Sequence, residues 1–206
     1  MTVAEGIVCI IDDEEAVRIA LTDLLESVGL QARAYASGRE FLQSLRADSP
    51  PCCLILDVRL PGSSGLEFQQ ELRAAKIDIP IIFITGHGDI PMTVQAMRAG
   101  AVDFLTKPFR EQALLDAINR AIERGRIGRE KQAEMTELRN RADELTPRER
   151  EVMLLVIRGL LNKQIAAELG TSETTVKVHR GQVMRKMQAD SLPDLVRMVE
   201  KLSLTQ

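Results

Sequence analysis

Short strand-like runs, most of them apolar, alternate with amphipathic stretches through the first 124 residues, and this pattern constrains the fold more than any other feature of the chain. The runs fall at Ile7–Ile11, Gln31–Ala36, Leu54–Asp57, Ile81–Thr85 and Val102–Leu105. Between them Val17, Ala20, Leu21, Leu24, Leu25 and Val28 recur at helical spacing. Further helices are expected over Gly38–Leu45, around Leu66–Ala75, around Pro91–Arg98 and from Glu111. A strand buried on both faces reads as a nearly continuous apolar run, and parallel strands need a crossover long enough to hold a helix. The alternation therefore predicts five βα units wound into an α/β, doubly wound, five-stranded parallel sheet.

Ligands of such a sheet gather in the crevice outside the carboxyl ends of its strands. Those ends carry Asp12 and Asp13, Asp57, Thr85 and Lys107. Three carboxylates at one edge would repel one another and raise at least one pKa, unless a cation normally sits among them. Magnesium fits best, because it takes oxygen ligands, keeps several waters and bridges to phosphate, and so needs only two or three carboxylates. Taken singly, an aspartate at a strand end is more often a turn former or a helix cap. Suitable residue types falling in order at successive strand ends form a joint pattern that the plainer reading does not generate.

Residues 125–144, GRIGREKQAEMTELRNRADE, are polar and mixed in charge, with Met135, Leu138, Ala142 and Leu145 in a 3, 4, 3 spacing. Two heptads are too few for a coiled coil, so the segment reads as a solvated helical linker. Strand signals then vanish. Thr146-Pro147-Arg148-Glu149 supplies an N-cap, a proline at the first helical position and a capping-box acid, opening a helix to about Arg158 that ends at Gly159. NKQIAAELG follows, with Ile165, Ala166 and Leu169 on one face and Gly170 as the break; Ser172 caps SETTVKVHRGQVMRKM, and LPDLVRMVEKL makes a fourth helix. Helix, glycine-containing turn and a Lys/Arg-rich helix form a helix-turn-helix pattern, so residues 145–206 are expected to be an all-α, four-helix DNA-binding domain. On its third helix Val176, Val183 and Met187 should pack inward. Thr174, Thr175, Lys177, Val178, Gly181 and Gln182 are then available to a groove, and His179 lies at the edge of the inward face as a structural residue.

Charge divides along the same boundary. The net charge of −3 conceals 12 Lys+Arg against 18 Asp+Glu in residues 1–124 and 10 against 7 in residues 145–206. An acidic front and a basic tail place metal or phosphate chemistry and polyanion binding in separate parts. Cys9, Cys52 and Cys53 form neither an even framework nor a CxxC pair and are expected to be buried, reduced thiols. No apolar run is long enough for a membrane span and no signal peptide is recognisable, so a cytoplasmic location is expected.

The Asp12–Asp13 pair, LDVRLPGSSG, ITGHGD and FLTKPF resemble the receiver domains of two-component response regulators, flavodoxin-like phosphoacceptors, across residues 1–124. The resemblance implies that Asp57 takes a phosphoryl group from a cognate sensor histidine kinase, and that Asp12, Asp13, Asp57 and the backbone carbonyl of Arg59 hold magnesium. It further implies that Lys107 and Thr85 contact the phosphoryl oxygens, that Thr85 and Phe104 form a switch pair, and that Lys107–Pro108 is a candidate cis peptide. His87 and Arg59 flank this edge, where each could tune hydrolysis of the acyl phosphate or be a solvated loop residue. The stretch from LTPREREVM to GQVMRKM resembles the LuxR-type helix-turn-helix. With the receiver, the whole chain resembles the FixJ/NarL family, nearer its FixJ/StyR-like members through IPIIFITGHGDIPMTVQAMRAGAVDFL and SLPDLVRMVEKL. That likeness implies base contacts from Lys177 and Val178 and phosphate contacts from Arg180, Arg185 and Lys186; Gly181 departs from the longer polar residue that several relatives carry there, so the likeness does not extend to a third base contact. It also implies double-stranded promoter DNA, RNA polymerase and, on phosphorylation, a second copy of the chain as partners.

Two other classes are weighed against this. A catalytic output would need a nucleotide loop, a nucleophile elbow or a His/Cys metal cluster, and none appears. An RNA-binding output would need stacking aromatics, but aromatics make up 3% of the chain and its sole tyrosine, Tyr35, lies in the first half. No enzymatic activity is expected beyond magnesium-dependent phosphorylation and dephosphorylation of the chain itself.

Overall fold

The computed structural model describes residues 6–45, 51–86, 88 and 90–203. They fall into two compact units that divide between Gly128 and Arg129.

In the first unit, strands β1 (Ile7–Ile11), β2 (Gln31–Tyr35), β3 (Cys53–Asp57), β4 (Ile81–Thr85) and β5 (Asp103–Thr106) alternate with helices α1 (Glu15–Ser27), α2 (Gly38–Ser44), α3 (Gly65–Ala74), α4 (Ile90–Arg98) and the start of α5 (Glu111–Asp143). All neighbouring strands pair in parallel, in the order β2-β1-β3-β4-β5. Strand residues point alternately to the two faces, and both faces are covered. Cys9, Ile11, Leu54, Leu56, Ile81 and Phe83 meet Phe41 of α2, Leu66, Phe68 and Leu72 of α3 and Ala96 of α4. Val8, Ile10, Cys53, Ile55, Ile82 and Ile84 meet Leu21 and Leu25 of α1 and Leu114, Ala117, Ile118 and Ala121 of α5. This two-sided burial is why β3 and β4 are apolar without alternation. β5 begins one residue later than its apolar run suggests, with Val102 just ahead of it donating its N–H to the Ile81 carbonyl at 2.7 Å. The three cysteines are buried and unbridged, and burial pushes the Cys9 thiol up to about 11.

The second unit packs the end of α5 with α6 (Pro147–Ile157), α7 (Asn162–Leu169), α8 (Glu173–Met187) and α9 (Leu192–Ser203). Thr146 and Glu149 close a capping box on α6 with Pro147 in its first turn, and the Ser172 hydroxyl accepts from the Thr175 N–H to cap α8. Gly170 turns the chain between α7 and α8 at φ 62°, a left-handed conformation that glycine adopts without steric cost. Val176, Val183 and Met187 of α8 are buried against Val152, Val156, Ile165 and Leu195. The segment expected as a solvated linker departs from that picture. Leu138 and Leu145 are buried in this core and Ala142 packs on it, so their apolar spacing serves a packing face of the second unit. No helix among the described residues is long and apolar enough to cross a membrane.

Candidate functional site

The strand order reverses between β1 and β3, so the carboxyl-end crevice opens where Asp12 and Asp57 emerge. Both are buried, at 0% and 5% exposure, as is Thr85 at the end of β4, whereas Asp13 is exposed. Lys107 follows β5 and is held by its own backbone, the Lys107 N–H donating to the Thr85 carbonyl at 2.7 Å; the Lys107–Pro108 peptide is cis. Its ammonium donates to Asp12 Oδ2 at 2.7 Å and to Asp57 Oδ2 at 2.8 Å. The remaining oxygens are oriented by the backbone: Asp12 Oδ1 accepts from the Glu14 N–H at 2.9 Å and Asp57 Oδ1 from the Arg59 N–H at 2.8 Å.

The Lys107 ammonium bonds two members of a cluster of three carboxylates, since Asp12, Asp13 and Asp57 each offer an oxygen within 4.8 Å of the others. Burial raises the Asp12 carboxyl above the usual carboxylate range, against the opposing hydrogen bond from Lys107. Burial pulls the Lys107 ammonium down, but its bonds to Asp12 and Asp57 outweigh that and hold it above its ordinary value. The cluster remains net negative and its donors are all oxygen, which suits a hard divalent cation.

In the second unit, Thr174, Thr175, Lys177, Val178, Gly181 and Arg185 are exposed on α8. The family comparisons match both units. The chain fits the response regulator receiver domain over residues 8–119 and the luxR family of bacterial regulatory proteins over residues 143–199. It is 56% identical to nodulation protein W of Bradyrhizobium diazoefficiens, over 98% of this chain and 88% of that one. It is 45% identical to the transcriptional regulatory protein FixJ of Rhizobium meliloti, over 92% of each. Among solved structures, that of the response regulator StyR shares 48% identity at a TM-score of 0.83, covering 95% of this chain and 98% of that one. The chain belongs to the family of LuxR-type response regulators.

Members of this family are transcription regulators rather than enzymes, with a receiver and a DNA-binding domain in one chain. In this response regulator Asp12, Asp13, Asp57 and Lys107 come together, with Thr85 adjoining through the backbone of Lys107. Phe104 is half-buried and its ring lies 6.2 Å from that of Phe83. The Arg59 side chain is exposed, while His87 lies outside the described residues. Several of the α8 residues expected at DNA have partners within the unit. Arg180 is half-buried and donates to Asn162 Oδ1 at 3.2 Å, tying α8 to α7. Gln182 is half-buried and accepts from Arg185 at 2.5 Å. Lys186, expected at a phosphate, donates to Glu149 Oε2 at 2.6 Å and to the Glu144 carbonyl at 3.0 Å, anchoring the end of α8 to the start of α6.

Sequence reasoning missed three supporting residues. Arg18 donates to the carbonyls of Asp12 and Asp13 at 2.8 and 2.9 Å, stapling the acidic loop. Gly65 lets α3 start against the backbone of Asp57, and Gly88 sits where a Cβ would meet Thr106 Cγ2 at 2.7 Å and the Phe104 ring at 3.0 Å. Each depends on a contact made only when the chain is folded. Gly65 and Gly88 fall within LDVRLPGSSG and ITGHGD, but nothing in either motif distinguishes a turn from a close approach.

Proposed function

We propose that Asp57 is the phosphoacceptor of this regulator, and that its phosphorylation by a cognate sensor histidine kinase controls binding of the second unit to double-stranded promoter DNA. The observation that carries the reading is the Lys107 ammonium bridging two buried carboxylates, Asp12 and Asp57, at the crevice where the strand order reverses. In the transfer, the Asp57 carboxylate attacks phosphorus in line. An O–P bond forms as the kinase's N–P bond breaks, and the electron pair leaves with the imidazole nitrogen. Asp12, Asp13, Asp57 and the Arg59 backbone carbonyl would hold magnesium, which when bound neutralises charge on the phosphoryl oxygens. Lys107 balances a second oxygen and Thr85 donates to a third, which frees space for Phe104 to turn inward.

Residues 1–124 serve as the phosphoacceptor domain and 145–206 as the DNA-binding domain, joined through 125–144, whose Leu138 and Ala142 pack with the second core. There Lys177 and Val178 read bases, with Thr174, Thr175 and Gln182 beside them. Arg185 is the phosphate contact that the geometry supports best, and Arg180 and Lys186 act mainly by holding α8 in place. Phosphorylated receivers pair with a second copy, bringing two recognition helices to a two-fold site at which the regulator meets RNA polymerase in the cytoplasm. The test is labelling of the full chain by acetyl phosphate with magnesium. Wild type should acquire one acid-stable, base-labile phosphoryl group, and Asp57→Asn should acquire none. Undiminished labelling of the Asp57→Asn variant sinks the assignment.

A further inference from the structure

A glycine in the middle of an exposed helix weakens that helix, because it loses more backbone freedom on folding than any residue bearing a Cβ. Most glycines of this chain have a structural reason. At Gly38 a Cβ would stand 2.6 Å from the Phe68 ring and at Gly65 2.2 Å from the Asp57 carbonyl oxygen, while Gly29, Gly62, Gly100, Gly159 and Gly170 adopt positive φ. Gly181 has neither reason. It lies inside the 15-residue helix α8, is exposed, and a Cβ there would meet nothing within 4 Å.

Its position on the helix supplies the reason the fold does not. Residues three and four apart are neighbours on a helix surface, so Lys177, Gly181 and Arg185 form one ridge, with Val178 beside the glycine. Lys177, Arg185 and Val178 are all exposed, Val178 to 58%, and Val176, Val183 and Met187 bury the opposite side. The ridge thus presents two long cations with a one-residue gap between them, on the face turned away from the core.

We infer that Gly181 sets the depth at which α8 enters the duplex: its missing side chain lets the helix backbone approach the DNA between the positions reached by Lys177 and Arg185. The inference rests on the DNA-binding reading above. A methyl group at 181 holds the helix off and lengthens the contacts of Lys177 and Val178 together; a larger side chain does so further. Contacts to phosphate by a flexible arginine adapt, so loss falls on sequence-specific binding.

The experiment uses the full chain with magnesium and beryllofluoride throughout. Wild type first enriches duplexes from a randomised library, and an enriched duplex and a random one are then titrated with wild type, Gly181→Ala and Gly181→Leu. Both variants should melt no lower than wild type, since a Cβ at 181 meets nothing within 4 Å and both residues favour helix over glycine. Affinity for the enriched duplex should fall on the order of tenfold for alanine and on the order of a hundredfold for leucine, the range that one to two lost base contacts span, with random-duplex affinity unchanged. Equal binding of wild type and Gly181→Ala to the enriched duplex overturns the inference while leaving the DNA-binding reading intact. Equal losses for alanine and leucine also overturn it, because helix flexibility rather than clearance would then be at work. If wild type enriches no duplex, the DNA-binding reading itself fails and the inference falls with it.

Discussion

Gly65 abuts the backbone of Asp57 so closely that a Cβ at position 65 would stand 2.2 Å from the Asp57 carbonyl oxygen. The Gly65 N–H also donates to the Val58 carbonyl at 2.8 Å, so the start of α3 and the end of β3 are built as one piece. Gly65→Ala should therefore push α3 away from the strand end and displace the Arg59 N–H from Asp57 Oδ1. Overpacking of this kind costs roughly 1 to 3 kcal/mol. Urea unfolding of the full chain should show that loss in the receiver transition, together with slower labelling by acetyl phosphate. Wild-type stability and labelling in the variant would mean that the loop absorbs the methyl group.

Asp13 is the member of the acidic cluster whose removal separates charge repulsion from Lys107 chemistry. Asp12 and Asp57 share the Lys107 ammonium, whereas Asp13 is exposed and adds a third negative charge within 4.8 Å. Asp13→Asn should relieve repulsion and raise metal-free thermal stability slightly, by a few tenths of a kcal/mol at an exposed site. It should also shrink the stabilisation that added magnesium gives the wild type, because a ligand that binds only the folded state stabilises it by a term that grows with the logarithm of its concentration over Kd. Melting curves in chelator and in millimolar magnesium measure both effects. A variant with an undiminished magnesium response would remove Asp13 from the cation site.

The Glu149–Lys186 pair predicts a pH dependence in the second unit. The hydrogen bond from Lys186, aided by the Thr146 backbone, holds the Glu149 carboxyl below the usual carboxylate range. A carboxyl depressed in the folded state stabilises fully above its unfolded pKa, about 4.3, and that stabilisation is lost as pH falls through the lower folded value. Glu149→Gln should cost roughly 1 to 3 kcal/mol at neutral pH, the range for hydrogen bonds to charged groups. It should also flatten the fall in stability of the second unit below about pH 4.3. Denaturant midpoints across the acid range decide the matter: parallel curves for the two proteins would show that the pair contributes no pH-dependent stability.

On α8, Lys177→Ala should cost about 1 to 3 kcal/mol and relax preference at one base position, whereas Arg185→Ala should weaken all sequences and reduce the salt slope by about one unit. Lys186→Ala should instead lower the melting temperature, because its ammonium is bonded to Glu149 and to the Glu144 carbonyl. Titrations of enriched and random duplexes at several salt concentrations distinguish these outcomes. Equal losses on both duplexes for Lys177→Ala and Arg185→Ala would cancel the assignment of base and phosphate roles.

The residues of the acidic edge were legible from the chain alone because strand ends are marked by the close of each apolar run, and doubly wound topology brings those ends to one crevice. Asp12, Asp13, Asp57 and Lys107 are found together for that reason. The inward face of α8 was legible from periodicity, since Val176, Val183 and Met187 repeat at helical spacing. What tertiary structure alone decided are the partnerships made across long sequence separations. Nothing near Lys186 in the chain announces its partner Glu149, which α6 places at 2.6 Å from it. Leu138 resembles part of a solvated linker until the helices of the second unit supply a core for it to join. Gly65 looks like a turn residue until β3 comes within collision distance. Periodicity and end signals are properties of neighbouring residues, and so they can be read along the chain. A salt bridge or a close approach depends on which elements fold against each other, and no local pattern encodes it.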